Sequence, residues 1–455
     1  MEKQKTKNAW LRVRSRAELK PAQMILLSFA SLILLGTFLL CLPVSTTDGQ
    51  GLRWVDSLLV ATSASCVTGL TVVDVHNDLT MFGTIALLGL IQAGGLGIIT
   101  LTVLVYHTLG RKLQMKEQMI LQESLNQNKA RGLVEMTLRV VKYTVCIEGF
   151  FAVLLAVHFF PEFGWDAAGY GIFHAVSGFC NAGFDLFGNY DSLVKRNTDS
   201  FLLLSLASLI MLGGIGFNVI WEVLHLRSWS RFSLHTKLVL SMNTLLLAGG
   251  TLVIFWLEAD NPGTLGMLGE EDKWLNSFFM SVSARTAGFN SIDLQATWED
   301  TMECLLVLMF IGASPVSTGG GIKTTTFAVI LCSIWAVLKD RQDAVIFGRR
   351  LSMEVRNRAF AIFTVSSMWV IFASFLLAFS DQERHLIQGV TFEVMSAFGT
   401  VGLGIGFTGQ WSDFGKCVLV LTMFIGRVGF LTLLLSMTKQ RKTKLRYPSE
   451  NVMIG

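Results

Sequence analysis

Stretches 22–43, 81–109 and 202–221 of this chain each run for twenty residues or more without an Asp, Glu, Lys or Arg. A helix needs about 20 apolar residues to cross the hydrocarbon core of a bilayer. Charged residues are only 15% of the 455 and hydrophobic ones 52%, where a soluble domain carries roughly 25% charged. A large soluble protein with buried helices would need at least eight such runs in one chain, and that reading is set aside. The first 20 residues are polar and basic, and the first apolar run is too long for a signal-peptide core, so no cleavable leader is expected. The lipid bilayer is therefore the first partner the sequence predicts.

Charge placement predicts the topology. Most of the 37 Lys and Arg fall in five segments, 3–20, 111–142, 227–237, 339–358 and 439–446. The polar segments between them, 48–78, 162–199, 258–300 and 381–413, are rich in Asp and Glu. By the positive-inside rule the basic segments and both termini face the cytoplasm. Five inner segments enclose four excursions, each with two spanning runs, which predicts eight transmembrane helices.

Between its spanning runs each excursion holds a segment too short to cross: 55–70, 173–184, 278–289 and 392–403. They align on Gly69, Gly183, Gly288 and Gly402, separated by 114, 105 and 114 residues. Leu59, Phe173, Phe278 and Phe392 stand ten positions upstream, and the small residues Ala64, Gly178, Ser283 and Ala397 five upstream. Leu70, Phe184, Phe289 and Leu403 follow the glycines. Such a period means four copies of one module.

Non-helical backbone at membrane depth survives only where protein buries it or where it lines a watery cavity. Four converging half-helices that end in extended strands meet that condition, and their carbonyls can replace the hydration shell of a cation. Glycine is required where a Cβ would forbid the backbone conformation. The predicted filter is Val67, Thr68, Gly69 and Leu70; Asn181, Ala182, Gly183 and Phe184; Thr286, Ala287, Gly288 and Phe289; and Thr400, Val401, Gly402 and Leu403.

The fold class expected is an all-α membrane protein: eight transmembrane helices with four re-entrant pore helices, as four fused helix–pore-loop–helix repeats in pseudo-fourfold arrangement. The repeats are placed at 21–110 (pore loop 55–72), 137–228 (168–186), 229–338 (273–291) and 359–438 (387–405). Segments 1–20, 111–136, 339–358 and 439–455 are the cytoplasmic N-terminus, two linkers and tail.

One glycine per loop in four fused repeats resembles the Trk/Ktr/HKT superfamily of potassium transporters. Val67-Thr68-Gly69-Leu70, Asn181-Ala182-Gly183-Phe184, Arg285-Thr286-Ala287-Gly288-Phe289-Asn290 and Gly399-Thr400-Val401-Gly402 are most similar to its bacterial KtrB-type membrane subunits. The similarity spans essentially the whole chain. Tetrameric potassium channels carry Thr-Val-Gly-Tyr-Gly in every loop, and this chain lacks the Tyr-Gly. Some plant members have Ser at the first filter glycine and favour sodium, so Gly69 implies potassium.

Glycines also interrupt the second helix of each repeat, at Gly94-Gly95-Leu96-Gly97, Gly213-Gly214-Ile215-Gly216, Gly312-Ala313-Ser314-Pro315 and Gly426-Arg427-Val428-Gly429. Tight helix packing accounts for the first two. The third is different, because Gly312, Ala313, Ser314, Pro315, Val316, Ser317, Thr318, Gly319, Gly320 and Gly321 cannot remain helical. An unwound, polar stretch beneath the filter can sit across the pore and move aside. The resemblance makes 312–321 an intramembrane gating loop. Three cations lie in apolar sequence: Arg285, expected to brace the third filter strand; Lys323, after the loop; and Arg427, placed by the resemblance near the pore constriction.

Rival functions leave less trace. There is no Gly-x-x-x-x-Gly-Lys-Ser/Thr phosphate loop and no sizeable soluble domain, so an enzyme such as a membrane ATPase is not expected. The seven Cys and seven His have no metal or redox spacing. A broken-helix secondary transporter has inverted repeats as a rule, whereas these excursions all start and finish inside. An autonomous cation channel is the nearest alternative. The resemblance further implies potassium as the transported ion and sodium dependence, with the choice of sodium or protons as coupled ion left open by the residues. It implies a homodimer in the bacterial inner membrane, and a cytosolic nucleotide-binding ring of RCK subunits (KtrA-like), since this chain has no nucleotide site. The basic segments 111–142 and 339–358 offer docking surface, or lipid contact.

Overall fold

The computed structural model describes residues 21–97, 133–380 and 387–430, together with 100, 432 and 433. Segment 1–20, all of 111–136 but its last four residues, and the tail 439–455 lie outside the described residues.

Four units follow one another. The first comprises α1 (Pro21–Leu40), α2 (Trp54–Cys66) and α3 (Met81–Leu96). The second comprises α4 (Leu133–Phe163), α5 (Ala167–Cys180), α6 (Ser200–Gly214) and α7 (Phe217–Leu226). The third comprises α8 (Leu234–Glu258), α9 (Glu270–Ser283), α10 (Glu299–Phe310) and α11 (Thr324–Leu338). The fourth comprises α12 (Met353–Ser380), α13 (Ile387–Gly399) and α14 (Asp413–Val428). The opening helices of units one, three and four are, or contain, stretches long and apolar enough to cross a membrane, and in unit two such a stretch runs from Thr137 through α4 into α5. Residues Phe38, Val157, Phe375 and Phe379 project from these helices and are exposed, as side chains against lipid tails should be.

The later helix of each unit is broken. Side-chain caps start three of them: Thr80 Oγ1, Asp199 Oδ1 and Ser412 Oγ accept from the amides of Gly83, Leu202 and Gly415. Then α3 ends at Gly97 (φ +80°), α14 at Gly429 (φ +85°), and α6 turns by 98° into α7 at Gly216 (φ +97°). The sequence reading of the first two glycine clusters as packing alone is therefore incomplete, since Gly97 and Gly216 also end helices. The packing is real as well: Gly94, Gly213 and Gly426 lie directly on the carbonyl oxygens of Ser65, Phe179 and Phe398, where a Cβ does not fit.

The units close into a ring. The broken helix of each packs on the short middle helix of the next: α3 on α5, α6 on α9, α10 on α13 and α14 on α2. Each of the largest apolar clusters straddles two neighbours. Leu40 and Leu87 meet Phe173 and Phe184; Leu206 and Leu209 meet Phe279 and Phe289; Leu305 and Met309 meet Phe392 and Leu403; Leu419 and Met423 meet Leu59 and Leu70. At one end of the ring Lys416 Nζ bonds Asp56 Oδ1 at 2.7 Å, tying the last unit to the first.

One local feature departs from an all-helical expectation. In the linker 339–358, Val345–Ile346 and Arg349–Arg350 form a two-residue antiparallel hairpin. Phe347 (φ +47°) and Gly348 (φ +72°) supply its turn.

Candidate cation filter and gate

The middle helix of each unit stops short, and the chain leaves it by the same device. Two residues before each aligned glycine stand Val67, Asn181, Thr286 and Thr400, with φ of +59°, +61°, +86° and +50°. The glycines themselves have φ of +103°, +70°, +82° and +92°. A β-branched residue with positive φ costs roughly 1–3 kcal/mol and persists only where its surroundings enforce it. Three of the four are β-branched.

Those surroundings are visible. The amides of Val67, Asn181 and Thr400 donate to the carbonyls of Ala64, Gly178 and Ala397, and those of Thr68, Ala182 and Val401 to Ser63, Ser177 and Ser396. Serine hydroxyls then hold the strand. Ser63 and Ser396 Oγ each accept from the filter glycine amide at 3.0 Å. Ser177 Oγ binds the amide and carbonyl of Phe184, and Ser283 Oγ donates to Phe289 O at 2.6 Å. Ser63, Ser177 and Ser396 were missed in the sequence, although all three stand six positions before the aligned glycine, and Ser283 was noted only as a small residue.

The glycines form a ring in chain order. A Cβ on Gly69 would stand 2.8 Å from Ala182 O, and one on Gly183 2.7 Å from Ala287 O. Gly288 faces Val401 O in the same way, and Gly402 faces Thr68 O. So the carbonyl one residue before each glycine meets the glycine of the preceding unit, and the four contacts close into a ring. The side chains of Leu70, Phe184, Phe289 and Leu403 are buried in the four inter-unit cores, and only backbone is left for the axis.

Beneath the ring lies 312–321, between α10 and α11. Its ends are clasped by a parallel bridge of Ile311 with Ile322 and by Thr324 N donating to Ala313 O. Ser314 and Thr318 amides donate to Gly214 and Gly213 carbonyls, and Val316 O accepts from Phe217 N. The Gly320 amide donates to Thr400 Oγ1 at 2.9 Å, while Gly319 abuts the Thr286 side chain. The segment thus touches the residues entering filter strands three and four.

The three cations take separate places. The Arg427 guanidinium donates to Thr318 O and Gly94 O, and to Gly95 O at 3.3 Å, so it clamps the loop to α3. Lys323 Nζ folds back to Gly319 O at 2.7 Å. Arg285, expected to brace the third strand, donates to Asn243 Oδ1 of α8 at 2.6 Å. Asn243 is a site residue that no local sequence signal marks.

A helical ring with apolar flanks and four inward backbone strands is the architecture of a membrane cation transport protein. The family model TrkH, described as "Cation transport protein", matches residues 6–445. Ktr system potassium uptake protein B of Bacillus subtilis (strain 168) is 42% identical, over 96% of this chain and 97% of that protein. The protein of the same name from Vibrio alginolyticus is 39% identical over 97% and 96%. Potassium/sodium uptake protein NtpJ of Enterococcus hirae is 37% identical over 98% and 99%. The crystal structure of the potassium transporter TrkH from Vibrio parahaemolyticus superposes with a TM-score of 0.69 at 20% identity, covering 93% of this chain and 86% of that one, a likeness of fold. The chain belongs to the TrkH/Ktr family, whose members are transporters and not enzymes.

Proposed function

We propose that this protein takes up potassium across the cell membrane through the ring of Gly69, Gly183, Gly288 and Gly402, with 312–321 as its gate. The observation that carries this is the cyclic pairing of each glycine with the next unit's carbonyl oxygen. It sets four sets of carbonyls around one path, as replacement of a hydration shell requires. The names of two relatives, both potassium uptake proteins, agree with the ion. In this reading each long opening helix and each broken helix is one crossing, which makes eight, and α2, α5, α9 and α13 are re-entrant pore helices. Gly69 in place of serine suits potassium over sodium. Uptake depends on sodium and is regulated by a cytosolic RCK ring docked on a homodimer; the hairpin arginines Arg349 and Arg350, both exposed, belong to its docking face.

The test is ion uptake by a transport-deficient cell carrying the wild type, Gly288→Ser or Gly402→Ser, with and without sodium and the cytosolic partner. Both variants should weaken potassium uptake and narrow its preference over sodium. Unchanged affinity for both ions in both variants would remove the filter assignment.

A further inference from the structure

The third strand enters the ring differently from the others. In units one, two and four the pore helix runs to within three residues of the glycine, at Cys66, Cys180 and Gly399. In unit three α9 ends at Ser283, and it is Ala287, not Thr286, whose amide returns to the helix end, at Ser283 O. Thr286 also has the largest φ of its set, +86°. At the position where the other strands have Cys66, Cys180 or Gly399, this one has Arg285.

Arg285 is buried, and its Nε has no hydrogen-bond partner. Among the described residues, Asn243 Oδ1 is the one acceptor its guanidinium has. A guanidinium only donates, so the Asn243 amide must turn its oxygen to Arg285 and its nitrogen away. That nitrogen donates to Val239 O at 2.7 Å and to Ser314 Oγ, in the loop, at 3.1 Å. Ser314 Oγ has thereby accepted, and its own proton is free for Thr324 Oγ1, 3.1 Å away at the start of α11. The hydrogen bonds run without a break from the third strand to the loop and on to the helix behind it. A cavity of about 210 Å³ lined by Arg285, Asn243, Thr244, Leu240 and Ala313 flanks this chain. The amide is therefore oriented by its two ends and not by close packing on that side.

We propose that Asn243 is a positioning residue that couples the state of the loop to the selectivity of the third filter strand. With the loop in place, Ser314 holds the amide and the amide holds Arg285, which keeps Thr286 in its left-handed conformation. When the loop withdraws, the Asn243 nitrogen loses Ser314 and keeps only Val239 O, and the support of the strand slackens. Cation discrimination is then a property of the gate's state as well as of the filter. This rests on the reading of 312–321 as a gate.

The experiment measures potassium and sodium uptake by the full-length protein, with and without its cytosolic partner, for Asn243→Leu, Asn243→Asp, Ser314→Ala and Asn243→Leu/Ser314→Ala. Asn243→Leu leaves Arg285 with no acceptor and should cut potassium preference about tenfold, as loss of one hydrogen bond to a charged group does. Asn243→Asp keeps an acceptor for Arg285 and can still take a hydrogen bond from the Ser314 hydroxyl, so potassium preference and its dependence on the partner should both stay close to wild type. Ser314→Ala cuts the link from loop to amide, so potassium preference should fall part of the way towards that of Asn243→Leu and no longer change with the partner, and the double variant should match Asn243→Leu in selectivity. Asn243→Leu with wild-type preference, or Asn243→Asp as damaged in preference as Asn243→Leu, would overturn the coupling. Should Asn243→Leu fail to reach the membrane, the Asn243→Asp and Ser314→Ala pair decides alone: preference kept in the first and lowered in the second supports the coupling, and wild-type preference in Ser314→Ala overturns it. If deleting residues from 312–321 leaves flux and its control untouched, the gate reading fails by itself, separately from the selectivity readout.

Discussion

At the scale of single residues, the backbone of the proposed filter is held by side chains behind it. The Ser396 hydroxyl accepts from the amide of Gly402 at 3.0 Å in the interior of the ring. Ser396→Ala leaves that amide without a partner, which costs about 1–3 kcal/mol for a buried group. The expected outcome is a lower melting temperature together with reduced potassium preference in uptake competition with sodium. A stability loss with untouched preference would make the serine a helix-packing residue only. The glycine register was legible in the sequence because it recurs four times at one spacing. The serines recur too, yet in unit three the serine is Ser283, one position later, and a strict column misses it. Asn243 was invisible for another reason: its partners Arg285 and Ser314 are 42 and 71 residues away, and only the ring brings them together.

At the scale of the element, the segment 312–321 is held from several sides at once. Its bonds reach α6, the residue entering the fourth strand, and through Arg427 the end of α3. The sequence showed that these residues could not be helical, from Pro315 and four glycines, and it placed them beneath the filter. It did not show that the cation of α14 would act as a clamp on the loop's carbonyls. Removing several residues from this segment should raise potassium flux sharply and weaken its dependence on the cytosolic subunit. Arg427→Ala should act in the same direction and less strongly, because it frees only Thr318 from α3. A deletion that folds, binds its partner and still conducts at the wild-type rate would show that the segment is no gate. The broken α3 and α6 were read as packing sites because glycine serves both purposes, and φ is not written in the sequence.

At the scale of the whole molecule, ring closure falls to the two units farthest apart in sequence. Lys416 and Asp56 form a well-buried pair, with side-chain exposures of 7% and 16%, and α14 packs on α2. Breaking such a pair from one side costs roughly 3–5 kcal/mol, whereas replacing both partners by apolar groups is often neutral. Lys416→Met should therefore destabilise the detergent-solubilised protein, and Asp56→Leu/Lys416→Met should recover most of the loss. Equal melting temperatures for the single and double variants would mean that the seam is closed by apolar packing of Leu419 and Met423 on Leu59 and Leu70 alone.

The cyclic packing of four unlike units has a consequence for how such a pore can change over time. In an assembly of four identical chains every substitution arrives in quadruplicate, and any alteration in the narrowest part is paid four times. Here the quadrants are written separately, so one can be redrawn while three hold the ion. Unit three shows what separate quadrants allow: its middle helix stops five residues before its glycine where the others stop three before, Arg285 ties its strand to α8, and its broken helix holds the proposed gate. In the proposed reading control sits in one quarter of the circle, and the other three serve coordination alone.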